Sequence, residues 1–224
     1  MNLLLVGIFI ALLTGMWKKA YSYKPLKYFF LFLLFEVIIL LLLKGFMWST
    51  YEHYDYWKPF LKWSGITDTN FFFWFAFLNK FSFFTLFYHH LIKRHEKDRI
   101  YLYIAGCLAI IILIQSLITK EVLAYSTFNQ TSVSFFTIFT TGYFMYKTVM
   151  SHDKVALYKN AFFLISVAYF FRSSITMLMD LIGQKIYNED IALFFKVSVI
   201  QNFILLGMYM VVAYAFYWTH LTKN

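Results

Sequence analysis

A single cysteine and two prolines in 224 residues show how little of the usual structural chemistry this chain carries. With Cys107 alone there is no intrachain disulfide, no CxxC redox motif and no cysteine-built zinc site. Pro25 and Pro59 fall in connections between the long apolar stretches, so those stretches read as unbroken helices. Charge is scarce too: Asp, Glu, Lys and Arg together make up 14% of the chain, and only 11 residues are acidic. No metal, nucleotide or nucleophile motif stands in recognisable spacing, and there is no internal repeat or low-complexity tail.

What fills the chain is apolar and aromatic: 61% of the residues are hydrophobic, 24% aromatic, and the mean hydropathy is positive. That composition is too apolar for a water-soluble domain. A hydrocarbon layer about 30 Å thick takes roughly 20 residues of helix, and backbone facing lipid must be hydrogen-bonded within its own segment. Seven such segments are predicted, at 2–17, 28–48, 70–90, 100–119, 131–150, 160–182 and 191–220. The expected fold is therefore all-α, a polytopic membrane protein with one seven-transmembrane-helix domain over 1–224.

Basic residues orient the bundle, because Lys and Arg are retained in short cytoplasmic loops. Twelve lie on one side: Lys18, Lys19, Lys24, Lys27, Lys93, Arg94, Lys97, Arg99, Lys147, Lys154, Lys159 and Lys223. Five lie on the other: Lys44, Lys58, Lys62, Lys120 and Lys185. The N-terminus is expected outside and the C-terminus inside, with Trp17 and Trp218 at the inner interface and Trp48 at the outer one. The first segment is read as a retained span and not a cleaved signal peptide, since it lacks a basic n-region and Lys18-Lys19 follows it directly. The net charge of +9 is spread over short loops, which points to anionic lipid headgroups and not to nucleic acid. Cys107, inside the fourth span, reads as a packing residue.

Ionisable groups within the spans carry the most weight, because each costs several kcal/mol in lipid unless it is paired, hydrated or turned inward. Glu36, Lys80 and Arg172 fall near the middle of spans two, three and six and are expected at one depth. Asp180 lies about two turns further out on span six, and Lys196 near the outer end of span seven is its expected partner. Three cations against two carboxylates leave one positive charge over, which an anionic ligand would satisfy. Tyr169, Arg172, Ser173, Thr176 and Asp180 share one helix face, as do Ser198, Gln201, Asn202 and Tyr209 on span seven. Asn79, Ser82 and His89 lie beside Lys80 on span three. Spans three, six and seven are thus expected to wall a polar core, with two and four facing lipid apart from Glu36 and Gln115. For the hydroxyl and amide residues, hydrogen-bonded glue between helices is the plainer expectation.

His89, His90 and His95, with His152 and His220 on the same side, include no HxxxH or HExxH pair, so no metal centre is expected. Membrane hydroxylases, desaturases and alkaline-ceramidase-like hydrolases need denser histidine sets. Lys196 lies too near a span end to hold retinal as in rhodopsins. The outward connection 49–69 packs Tyr51, Tyr54, Tyr56, Trp57, Phe60 and Trp63 among few charges, and its spacing predicts a short interfacial helix.

Four features give the chain a likeness: the short first span closed by Lys18-Lys19; the run Phe83-Phe84-Thr85-Leu86-Phe87-Tyr88 leading to Lys93-Arg94; Tyr169-Phe170 ahead of polar residues; and Asn202 before an apolar run. In these it resembles a group of small uncharacterised bacterial seven-span integral membrane proteins. The resemblance covers most of the length, implies residence in the cytoplasmic (inner) membrane beside a signalling system, and transfers no catalytic residue and no cofactor. The function expected is a non-enzymatic membrane module that senses or relays a signal through a membrane or cytoplasmic partner, since the inner loops are too short to form an output domain. A transporter or channel for a small anion is the alternative, and an intramembrane enzyme acting on lipid ranks third.

Overall fold

The computed structural model describes residues 2–64, 71–92, 99–119, 127–150 and 157–218, and every long element among them is helical. In chain order these are α1 (Asn2–Trp17), α2 (Lys24–Glu52), α3 (Tyr54–Ser64), α4 (Phe72–Asn79), α5 (Thr85–Ile92), α6 (Arg99–Thr119), α7 (Thr127–Met150), α8 (Ala161–Glu189) and α9 (Ile191–Tyr217). A π turn at Lys80–Phe84 joins α4 to α5 into one rod. The segments read as apolar are thus helical, several of them with a polar extension. α2 and α8 run to 29 residues each, about 43 Å at 1.5 Å per residue.

Local chemistry sets the ends. Pro25 occupies the first turn of α2, where its missing N–H costs nothing. The Asn160 side chain accepts from the backbone N–H groups of Phe162 and Phe163, and that of Asp190 from Leu193, capping α8 and α9. Asp190 alone separates α8 from α9, which forces a tight antiparallel hairpin. Pro59 lies inside α3, so both prolines are helical residues and not connection residues, although neither interrupts a long span.

Three helices are long and apolar enough to cross a membrane: α2, α8 over Ala161–Gly183, and α9. The apolar parts of α1 and α6 are shorter, Leu3–Trp17 and Leu102–Ile118. α7 is long but is diluted by hydroxyls. Thr137, Thr141 and Thr148 return their hydroxyls to backbone carbonyls one turn earlier, at 2.8–2.9 Å, and the Asn129 amide donates to Ser116 Oγ on α6 at 2.7 Å.

The tightest packing joins α7 to α8, α8 to α9 and α1 to α9. Gly7 permits the last contact, because a Cβ there would stand 3.0 Å from Tyr209 Cβ. α2 is central and not lipid-facing as expected: Leu26, Phe29, Phe32 and Leu33 are buried against the rest of the core. The reason is the density of large rings on one face of its first half, which find partners in Phe87, Tyr169 and Phe216. α6 is peripheral, and Cys107 is exposed on it instead of packed. α3 matches the short amphipathic helix predicted. It buries no residue, and Trp57 is tied back by a 2.9 Å bond to Ser49 Oγ and by ring contact with Phe46.

Candidate functional site

The periodic polar face of α8 meets α2 at one carboxylate. Glu36 follows Phe32 by one turn, so the buried face of α2 that seats Phe32 also aims Glu36 at α8. Arg172 Nη2 pairs with Glu36 Oε1, and the two side chains are only 16% and 14% exposed. Tyr169 Oη donates to the other oxygen, Glu36 Oε2, at 3.4 Å. Both carboxylate oxygens are therefore engaged by α8.

Two rings hold the cation. The guanidinium carbon of Arg172 lies 5.2 Å from the Tyr169 ring centroid and 5.3 Å from that of Tyr209 on α9. Desolvated contacts of this kind contribute up to about 2 kcal/mol each. Tyr169 is itself packed by Phe29, Phe32 and Phe84 at 5.4–5.6 Å between centroids. The pair is thus set in an aromatic housing drawn from four elements. Arg172 Nη1 and Tyr209 Oη are buried in it, and neither completes a hydrogen bond of good geometry among the described residues, the Tyr209 hydroxyl lying close to Tyr169 and Glu36.

Lys80 opens the π turn. It lies in the fields of Arg172, Glu36 and Asp180 but forms no ion pair among the described residues. A π turn inserts one residue into the rod and resets its faces, a feature found often at functional sites. Here it follows Asn79, whose amide donates to the Phe32 carbonyl at 3.0 Å and fixes α4 to α2.

Of the residues expected in the core, Glu36, Tyr169 and Arg172 are in contact, and Lys80 and Asp180 lie within electrostatic reach of one another. Asn79 is the helix-to-helix tie just described. Gln201 and Asn202 are half-buried on α9, and the Asn202 amide donates to the Ser198 carbonyl of its own helix at 2.9 Å. Ser82 is exposed. Lys196 does not pair with Asp180: it is the sixth residue of α9, and its side chain is exposed. Glu36 and Asp180 stand with Lys80 and Arg172 around the pair, and Lys44, eight residues after Glu36, is half-buried further along α2.

Tyr209 is the functional-site residue that the sequence placed on a polar face without marking it as part of the site. Its seven-residue spacing from Asn202 was the available signal, hidden by the apolar run around it. His90 stacks on Tyr28 at 4.9 Å between centroids, and His89 is half-buried beside it. Among the described residues no group of three or more His, Cys, Asp or Glu is placed to hold a metal ion. His95, His152 and His220 lie outside the described residues, as do Lys93, Arg94, Lys97, Lys120, Lys154 and Lys223 of the orientation count. Searches of protein-family models, of curated proteins and of solved structures find no match to this chain.

Proposed function

We propose that the chain is a seven-helix module of the cytoplasmic membrane, N-terminus outside and C-terminus inside, that senses a ligand in its polar core and relays the state to a partner. The observation that carries this reading is the Glu36–Arg172 pair. It joins α2 to α8 across a buried aromatic housing, so an event that loosens or tightens it alters how the two longest helices meet. A buried pair with discrete arrangements is the kind of element that a ligand can bias.

Orientation is supported by the twelve-to-five basic asymmetry and by ring contacts at one end of the bundle. Lys18 lies over Trp17 and Tyr217, and Lys159 over Tyr158 and Trp218, as an inner interfacial belt requires. Kinship with the small bacterial seven-span group and its signalling companions belongs to the same proposal. Transport of a small anion is the alternative reading, and it has less support where Glu36 answers Arg172 and Asp180 lies in the field of Lys80.

Proteoliposomes loaded against chloride and phosphate gradients test this reading. Flux equal to that of empty vesicles is expected, together with a ligand-dependent change in the distance between spin labels on α2 and α8. Flux above the empty-vesicle level would replace the sensing module by a transporter.

A further inference from the structure

Burial along α2, α8 and α9 is confined to one half of each helix, whereas α7 is buried from Asn129 and Val133 through to Thr148. Residues 38–52 of α2 and 191–204 of α9 contain no buried side chain, and in 174–189 of α8 Gly183 is the one buried residue among those whose exposure is described. In the other half Phe29, Phe32, Tyr169, Tyr209 and Phe216 are closed from solvent. The Glu36–Arg172 pair sits where the two halves meet.

The helix faces that continue beyond the pair follow from spacing. Leu40 and Leu43 lie four and seven residues after Glu36, Thr176 and Met179 four and seven after Arg172, and Asn202 seven before Tyr209. All five are half-buried, so each stands on the same side of its helix as the polar cluster. Two donors close the inner end of these faces, Arg172 Nη1 and Tyr209 Oη, both buried and neither in a hydrogen bond of good geometry among the described residues, with the Tyr209 hydroxyl lying close to Tyr169 and Glu36.

We propose that these faces form a cleft for an apolar molecule carrying an uncharged oxygen acceptor, whose oxygen seats between Arg172 Nη1 and Tyr209 Oη. The inference rests on the sensing role above and names the chemistry of what is sensed. An acceptor is required because a guanidinium N–H can only donate. The acceptor is uncharged because Glu36 already answers Arg172 and Asp180 lies in the field of Lys80. An anion would add net charge, in a low-dielectric site, beside a pair that is balanced without it. Leu40, Leu43 and Met179 provide the apolar walls.

The test uses full-length protein in nanodiscs, melted while tryptophan fluorescence is followed, with three probes of equal chain length: 2-decanone, decanoate and decane. The ketone should raise Tm by about 3 °C at saturating dose, decanoate should do less, and decane should do nothing. Tyr209→Phe removes a hydroxyl that makes no hydrogen bond of good geometry among the described residues, so it should fold as the parent does and lose at least about half of the ketone response. Tyr214→Phe, exposed on the same helix, should keep it. The proposal is overturned if decane matches the ketone, if decanoate exceeds it, if none of the three shifts Tm, or if Tyr209→Phe responds as the parent. A decanoate-only response would discard the ligand class and leave the sensing role standing, since that role is judged by flux and by the α2–α8 distance.

Discussion

Gly7 of α1 and Tyr209 of α9 are in backbone-to-side-chain contact so close that a Cβ on Gly7 would lie 3.0 Å from Tyr209 Cβ and 3.1 Å from Leu206 Cδ1. α1 therefore sets the position of the ring that covers Arg172. Gly7→Val should force α1 and α9 apart and cost about 1–3 kcal/mol. Gly45→Ala, where a Cβ meets nothing within 4 Å, should instead stabilise by up to about 1 kcal/mol through helix propensity. Unfolding titrations in mixed micelles measure both. Equal effects would mean that the α1–α9 contact does not position Tyr209.

The ion pair makes a non-additive prediction. Glu36→Gln or Arg172→Gln alone leaves its buried partner uncompensated and should cost about 3–5 kcal/mol. The double variant should cost clearly less than the sum of the two. Strict additivity across the cycle would show that the carboxylate and guanidinium are energetically independent.

Orientation is tested by labelling in a Cys107→Ser background. Ser22→Cys lies in the first connection and Tyr56→Cys on α3, both exposed. A membrane-impermeant maleimide added to intact cells should reach Tyr56→Cys and not Ser22→Cys. Inverted vesicles should reverse the result. Labelling of both positions from one side would end the proposed topology.

Helix positions were legible because apolar runs of this length have one outcome in lipid, and α1 coincides with its predicted segment over Asn2–Trp17. The amphipathic α3 was legible from the spacing of Trp57, Phe60 and Leu61. The Glu36–Arg172 contact was foreshadowed by the cost of charge at mid-span. What the sequence hid depends on rotation and end effects. Hydropathy is nearly uniform around α2, so it does not say that Phe29 and Phe32 turn inward. Hydropathy averages likewise conceal the π turn at Lys80, within which Phe81 packs against both Phe77 and Phe136. The Asp180–Lys196 pairing failed because two residues near span ends do not have to face each other, and the Lys196 side chain is exposed.

The two tyrosines that flank Arg172 separate ring contact from hydrogen bonding. Both present a ring to the guanidinium at nearly equal distance, yet among the described residues only Tyr169 donates to Glu36 with hydrogen-bond geometry, while the Tyr209 hydroxyl lies close to both without completing a bond of good geometry. Tyr169→Phe should therefore cost about 1 kcal/mol, the net worth of one hydrogen bond at the long end of its range. Tyr209→Phe should cost nothing and stabilise by up to about 1 kcal/mol, because it removes a buried hydroxyl that completes no good hydrogen bond. Truncation of either ring to Leu removes the cation–aromatic contact and should cost about 2 kcal/mol or more beyond the phenylalanine variant. Chemical unfolding of the four variants gives the ordering directly. A Tyr209→Phe loss as large as that of Tyr169→Phe would show that its hydroxyl is already committed to holding the pair together.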